Sequence, residues 1–455
     1  MIKNNNTEQG VNFSGQITLV AIGIMLQSLK LLKPIEEIVK IKQKTVKYSP
    51  YEKLVDALIV ILSGAKGLVE VNTRVRPDEG VQKAFGRAGC AEQSVIQETL
   101  NAVRSENILE MEKALKVIYQ EQSLAIKHKY KEQLQLLDID FTGLACGELS
   151  EEAKKGYFAG NKARVGRQMG RVLATRYEEI VVDKLYPGNV QLGSCLKELI
   201  EEAEEVLNLD QEKRHRTLLR IDAGAGSHAN INWLLSRDYQ LIAKEYNART
   251  VIKEVSKWIA DPKNQAREFA WLDNNATYCK EVSRLAVRCR KNNGQWAVGV
   301  MICTLKPAQV AKELGIKLDC NNNAQVCRAY AQLYDKRGGG VETEFKEDKQ
   351  ALGISKRNKK SMLAQQMVQM LNSLAHNILI WVRFHLSVSQ PKLATLGLLR
   401  LIRDVLHITG FIVTDLYQHI LSITFNKASP WASKLANALQ DILASTHISF
   451  NLGKI

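Results

Sequence analysis

No two of the eight cysteines (Cys90, Cys146, Cys195, Cys279, Cys289, Cys303, Cys320 and Cys327) stand in a Cys-x-x-Cys pair. That gap excludes a zinc ribbon and a redox dithiol, and points to buried free thiols in a reducing cytoplasm. Long apolar runs are missing too. Neither the polar start, residues 1–8, nor the short runs at 19–26 and 54–62 makes a signal peptide or a membrane span. The expectation is a soluble, cytoplasmic protein with no membrane partner. Acid is scarce relative to base: 48 Asp and Glu face 63 Lys and Arg, a formal charge of +15. A phosphate-rich polyanion such as nucleic acid is the natural counterpart of that excess.

What is present is an ordinary globular composition, 45% hydrophobic over 455 residues, enough for roughly two to four domains. The first stretch reads as helical. Ser49-Pro50-Tyr51-Glu52 has the pattern of a capping box with proline at the first helical position, followed by the apolar run 54–62. Ser94-Val95-Ile96-Gln97 reads as a second helix start. The two together fit either a helix–turn–helix or an ordinary helical hairpin.

From about residue 134 the texture changes. Residues 136–141, 168–174 and 178–185 read as strands, closed by the turn Tyr186-Pro187-Gly188-Asn189. Cys195, Leu196, Leu199, Ile200, Ala203, Val206 and Leu207 then fall on one helical face. A strand at 217–222, a helix at 231–236 and a strand at 240–244 follow. Three strands, helix, strand, helix, strand is the element order of a ribonuclease-H-like fold, in which the first and fourth strands are neighbours. Between about 246 and 320 an insertion intervenes. Arg284, Arg288 and Arg290 alternate with other residues at strand period, Asn293-Gly294 marks a tight turn, and 296–305 reads as the return strand. The three arginines are expected on its solvent face. Leu363, Met367, Met370, Leu371, Leu374, Ile378 and Trp381 recur at helical spacing, and helices near 393–406 and 430–443 flank a hairpin.

Three acids in this layout suggest chemistry. Asp140 and Asp222 each end an apolar strand-like run, and Glu342 lies in the later segment 334–349. If the first and fourth strands adjoin, the two aspartates come together. Carboxylates are hard oxygen donors that suit magnesium, and a pair of such ions moves phosphoryl groups. Asp138 faces the same side of the strand as Asp140, so alternation alone leaves both open as first ligand.

The chain resembles a bacterial insertion-sequence transposase of the DDE class over roughly residues 50–450. The matching stretches are Leu137-Asp138-Ile139-Asp140-Phe141-Thr142-Gly143, Lys155-Gly156-Tyr157-Phe158, Leu185-Tyr186-Pro187-Gly188-Asn189, Arg220-Ile221-Asp222-Ala223-Gly224 and 334–349. Its most specific part is a Tyr-Arg-Glu-Lys signature: two residues separate Tyr334 from Arg337 and six separate Glu342 from Lys349. Between Arg337 and Glu342 stand four residues, three of them glycines, where the family usually has three residues. The Asp-x-Thr pattern favours Asp140 over Asp138, and the following Phe345-Lys346 favours Glu342 over Glu344.

The resemblance implies a mixed α+β protein with a ribonuclease-H-like catalytic core, a β-rich insertion and helical flanks. Residues 1–130 would be a helical DNA-binding region, 131–245 and 321–390 the two parts of the core, 246–320 the insertion and 391–455 a helical C-terminal region. Asp140, Asp222 and Glu342 would hold two magnesium or manganese ions. Tyr334, Arg337 and Lys349 would hold phosphates of the element end. Apart from the resemblance, placement beside the metal site makes Arg284, Arg288 and Arg290 expected DNA contacts, and closeness in sequence to the third acid does the same for Lys356, Arg357, Lys359 and Lys360. The implied activity is cut-and-paste transposition of double-stranded DNA, from terminal inverted repeats to a target, by a homodimer at the bacterial nucleoid. The rivals are a metal-dependent nuclease without transposition and an inactive DNA-binding derivative.

Overall fold

The computed structural model describes residues 10–44, 47–156, 158, 164–246, 255–273 and 278–455. Within them the chain forms two compact units. One comprises Ser123–Glu148 and Glu152–Phe345; the other comprises Met1–Gln122, Leu149–Glu151 and Lys346–Ile455. Tyr157 and the start 1–8 lie outside the described residues.

The first of these units is built on one ten-stranded sheet. Its core strands are β1 (Gln135–Ala145), β2 (Val165–Ala174), β3 (Glu179–Pro187), β4 (Thr217–Ile221) and β5 (Gln240–Lys244). β2 pairs antiparallel with both β1 and β3, whereas β4 runs parallel to β1 and to β5. The spatial order β3-β2-β1-β4-β5 is that of a ribonuclease-H-like core. Parallel strands cannot be joined by a tight turn, so helices make the crossovers. α1 (Leu192–Leu207) buries Leu196, Leu199, Ile200 and Ala203 along one stripe and stops at Asn208, which takes a left-handed conformation at φ 52°. Each such leucine or isoleucine contributes about 1.5–3 kcal/mol by leaving water. α2 (His228–Ser236) starts at Ser227, whose hydroxyl accepts the Asn230 N–H at 3.2 Å.

The insertion does not form a separate layer. Its strands β6 (Ile259–Asp261), β7 (Asn264–Leu272), β8 (Ser283–Arg290) and β9 (Trp296–Cys303) extend the core sheet, because β9 pairs with β5 from Met301↔Lys244 to Cys303↔Ile242. α3 (Asn323–Asp335) packs across this extension. Val326, Cys327, Tyr330 and Leu333 share a core with Leu218, Ile242, Phe269, Leu285 and Met301. That packing brings the end of α3 to Arg220 of β4, and Gly340 after it to Asp138 in mid-β1. α4 (Val341–Glu347) follows directly.

The other unit is mostly helical. Pro50–Leu62 opens with the expected capping box: Glu52 N–H donates to Ser49 Oγ at 3.2 Å, and Ser49 N–H to Glu52 Oε2 at 2.7 Å. The next expected helix start shifts: the helix runs Gln93–Asn101 with Glu92 before it and no side-chain cap, so Ser94 lies inside the first turn. Met362–Ser389 is a 28-residue helix that buries Met367, Met370, Leu371, Leu374, Ile378 and Trp381. The C-terminal hairpin Gly410–Thr414/Ile420–Asn426 belongs to a four-stranded sheet. Its edge strand, Gly10–Ser14, comes from the far end of the chain.

Candidate active site

β1 and β4 pair in register from Gln135↔Thr217 to Ile139↔Ile221. One residue further on, Asp140 and Asp222 stand side by side. β4 stops there, but β1 continues to Ala145 along β2, so Asp140 is in mid-strand rather than at a strand end. Asp140 Oδ1 accepts its neighbour's Phe141 N–H at 2.8 Å, and Asp222 Oδ1 accepts Gly224 N–H at 2.9 Å. Burial pushes Asp140 up to about 6, with the negative charges of Asp222 and Glu342 adding to the rise and Arg337 opposing it. The three acids therefore share one electrostatic neighbourhood.

Arg337 is the hub of that neighbourhood. Its buried guanidinium donates to Glu342 Oε1 at 3.0 Å and to the Ile139 carbonyl at 3.2 Å, and lies 2.9 Å from Asp140 Oδ2. The extra residue between Arg337 and Glu342 does not prevent their pairing. Arg337 thus pairs with two of the three carboxylates. The acids do not form a shared metal-sized pocket as their side chains lie. Among the described residues no group of three or more His, Cys, Asp and Glu side chains could hold an ion. The Arg337 guanidinium stands between two of the acids, paired with Asp140 at 2.9 Å and with Glu342 at 3.0 Å. The donor set still suits a hard cation. It offers three carboxylates and leaves Glu342 half-exposed and held by Arg337 alone among the bonds above.

Asp138 is engaged elsewhere. Arg220 holds it through Nε at 2.5 Å and Nη2 at 2.7 Å, both side chains buried. Arg220 also donates to the Leu333 carbonyl at 3.3 Å, tying β4 to the end of α3. Gly340 fits against this pair: a Cβ there would lie 2.2 Å from Asp138 Oδ2. Glu344 is buried, unlike Glu342.

The expected cationic surface is only partly present. Arg284 is buried, not solvent-facing; it is gripped by Glu245 at 2.8 and 3.1 Å, because β8 is covered at that end. Arg288 is half-buried between the rings of Trp258 and Trp296, 4.3 and 4.5 Å from their centroids, and pairs with Glu268. Arg290 is exposed. In the helical unit, Lys356 and Lys360 are exposed, but Arg357 and Lys359 are buried. Arg357 donates to the carbonyls of Leu352 and Ala65, and burial pulls it down to about 10. Lys359 donates to Gln97 Oε1 at 2.6 Å, and burial pulls it down to about 8. Lys349 lies past the end of α4, in the π-helical turn Asp348–Leu352, so the regular helix linking it to Glu342 ends before it.

One residue was missed. Lys244 closes β5 and stands beside Asp222, one step beyond the Ile221↔Ala243 pair. Its ammonium lies 4.4 Å from the ring centroid of buried Tyr334. Burial pulls its pKa down, while Asp335 and Asp222 pull it back up. No short motif marks it. The signal available was positional: a lysine ending the strand next to that of the second acid.

The site geometry, two strand aspartates and a helical glutamate on a ribonuclease-H-like sheet, is that of the DDE class. The family described as Transposase DDE domain group 1 matches residues 5–447, and the chain belongs to it. It is therefore a transposase by family. Among solved structures it is similar to a cryo-EM piggyBac transposase synaptic complex with hairpin DNA, at 13% identity, covering 92% of this chain and 81% of that one, with a TM-score of 0.47. No curated protein matches it. Among the described residues no helix is long and apolar enough to cross a membrane.

Proposed function

We propose that this transposase binds the terminal inverted repeats of an insertion sequence and cuts and joins DNA strands at Asp140, Asp222 and Glu342. The observation that carries the reading is the register that sets Asp140 beside Asp222, with Arg337 linking Asp140 to Glu342. Those three carboxylates would hold two magnesium or manganese ions, which supply a nucleophile at neutral pH and neutralise charge on the phosphate. Water attacks the phosphodiester at the element end; the new P–O bond forms as the bond to the 3′-oxygen breaks, which leaves a 3′-hydroxyl. That hydroxyl attacks a target phosphodiester, and the target's own 3′-oxygen departs. Arg337, paired with both, would offset the mutual repulsion of Asp140 and Glu342. Exposed Arg290 and Lys356 would meet phosphates of the flanking duplex, and residues 1–130 would read the end sequence. The working form would be a homodimer pairing two ends, in the bacterial cytoplasm.

The test uses labelled duplex from the DNA flanking the coding sequence, with magnesium. The wild type is expected to nick it at a defined end and join the 3′-end to a plasmid, and Asp222→Asn to bind but not nick. Nicking without joining would leave a nuclease. Binding without nicking would leave an inactive derivative, and retained magnesium-dependent nicking by Asp222→Asn would remove these acids from the chemistry.

A further inference from the structure

Two cations stand at the three acids, and they are committed differently. The two terminal nitrogens of Arg337 are spent on protein acceptors, Glu342, Asp140 and the Ile139 carbonyl, although its buried Nε has none. Lys244 is not. Among the described residues its ammonium makes no hydrogen bond and no ion pair, and its close neighbour is the face of Tyr334. A half-buried ammonium with three unused donors is an uncomfortable group to keep. The ring offers it charge stabilisation of about 0.5–2 kcal/mol without satisfying a donor. The aromatic face also fixes where the ammonium sits. Lys244 pairs with Met301 of β9, and Ala243 before it pairs with Ile221 of β4, the residue before Asp222. Gly226 leaves the backbone of Lys244 room, since a Cβ there would lie 1.7 Å from the Lys244 carbonyl oxygen. A rigid strand end therefore aims an unsatisfied cation at the space in front of the acids.

We infer that Lys244 is a substrate-contacting residue that binds a DNA phosphate at or next to the cleaved position, with Tyr334 as its platform. The inference rests on the DNA-cleaving reading above. A phosphate oxygen supplies the acceptor that the protein lacks, in a charge-assisted hydrogen bond. It also divides the signature's labour anew: Arg337 organises carboxylates, and the phosphate contact falls to a lysine outside the signature.

The test walks single methylphosphonates, which remove one phosphate charge each, along a labelled duplex from the flanking DNA. Binding is measured in calcium with wild type, Lys244→Met and Lys244→Arg. Wild type is expected to lose affinity at several positions. Lys244→Met should bind unmodified duplex roughly tenfold more weakly, as befits one charge-assisted bond. It should also have become insensitive at one position near the cut, and Lys244→Arg should regain that sensitivity. Urea unfolding controls for folding of both variants. If Lys244→Met is sensitive at the same positions as wild type, or if its losses simply add, Lys244 only covers Tyr334 and the inference falls. Failure of the broader reading looks different: wild type itself would show no end-specific binding or nicking.

Discussion

Arg220 grips Asp138 with two parallel hydrogen bonds, at 2.5 and 2.7 Å, from a residue directly opposite it on the neighbouring parallel strand. Asp138 and Asp140 share a face of β1, yet their roles diverge. The first is neutralised within the sheet; the second, two residues on, lies past the end of β4 among other acids. Alanine at the two positions should therefore separate stability from chemistry. Asp138→Ala leaves a buried guanidinium without its partner and should cost about 3–5 kcal/mol. Asp140→Ala removes a crowded charge and should cost less than about 1 kcal/mol while abolishing nicking. Urea midpoints and nicking of labelled end duplex check both. A fully stable Asp138→Ala protein would contradict the structural role.

The glycines after α3 give a second contrast. A Cβ at Gly340 would lie 2.2 Å from Asp138 Oδ2 and 2.9 Å from Thr175 Cγ2, whereas at Gly339 the nearest atom is the Lys336 carbonyl at 3.7 Å. Gly340→Ala should push α4 off the ion pair, cost about 1–3 kcal/mol and depress nicking, since Glu342 moves with the helix. Gly339→Ala should be close to neutral. Equal effects of the two substitutions, by thermal unfolding and nicking rate, would mean that the turn does not position Glu342.

These contrasts show what the sequence made legible. Apolar runs and helical stripes were enough to place β1, β4 and β5 and so to bring Asp140 and Asp222 together. They could not choose between Asp138 and Asp140, because alternation puts both on one face and Arg220 lies 82 residues away. Parity likewise put Arg284, Arg288 and Arg290 on one face correctly. It could not reveal that Glu245 closes over Arg284 while Trp258 and Trp296 enclose Arg288. The charge run at 356–360 was expected to meet phosphate, but the carbonyls of Leu352 and Ala65 absorb Arg357. Lys244 had no pattern at all; only the sheet gives it neighbours.

The insertion's arginines should behave unalike. Arg284→Ala strands buried Glu245 and should cost about 3–5 kcal/mol, with any loss of DNA binding tracking the unfolded fraction. Arg290→Ala should change stability by less than about 0.5 kcal/mol. If Arg290 meets a phosphate, its loss should reduce the slope of log affinity against log salt by roughly 0.9. Salt titrations of the folded variants decide this, and an unchanged slope for Arg290→Ala would take the insertion's outer edge off the DNA path.

Lys359 carries a pH signature of its own. Its ordinary pKa of 10.5 falls to about 8 in the folded chain, chiefly through burial, with nearby Arg357 adding to the fall. Below pH 8 the ammonium is charged in both states, and its burial penalty is constant. Between about 8 and 10.5 the unfolded chain holds a proton that the folded chain has released, so stability from this group rises with pH. The rise is at most about 1.4 kcal/mol per pH unit, and it levels off above 10.5. Lys359→Met should remove that rise and be more stable than wild type at pH 7, provided that methionine fills the space beside Gln97. DNA affinity should hardly change, since the ammonium already donates to Gln97 and is buried. Urea unfolding of both proteins from pH 7 to 10, with end binding at pH 7, measures each part. Parallel stability curves would show that Lys359 is not desolvated in solution, and a sharp loss of affinity would return it to the DNA surface.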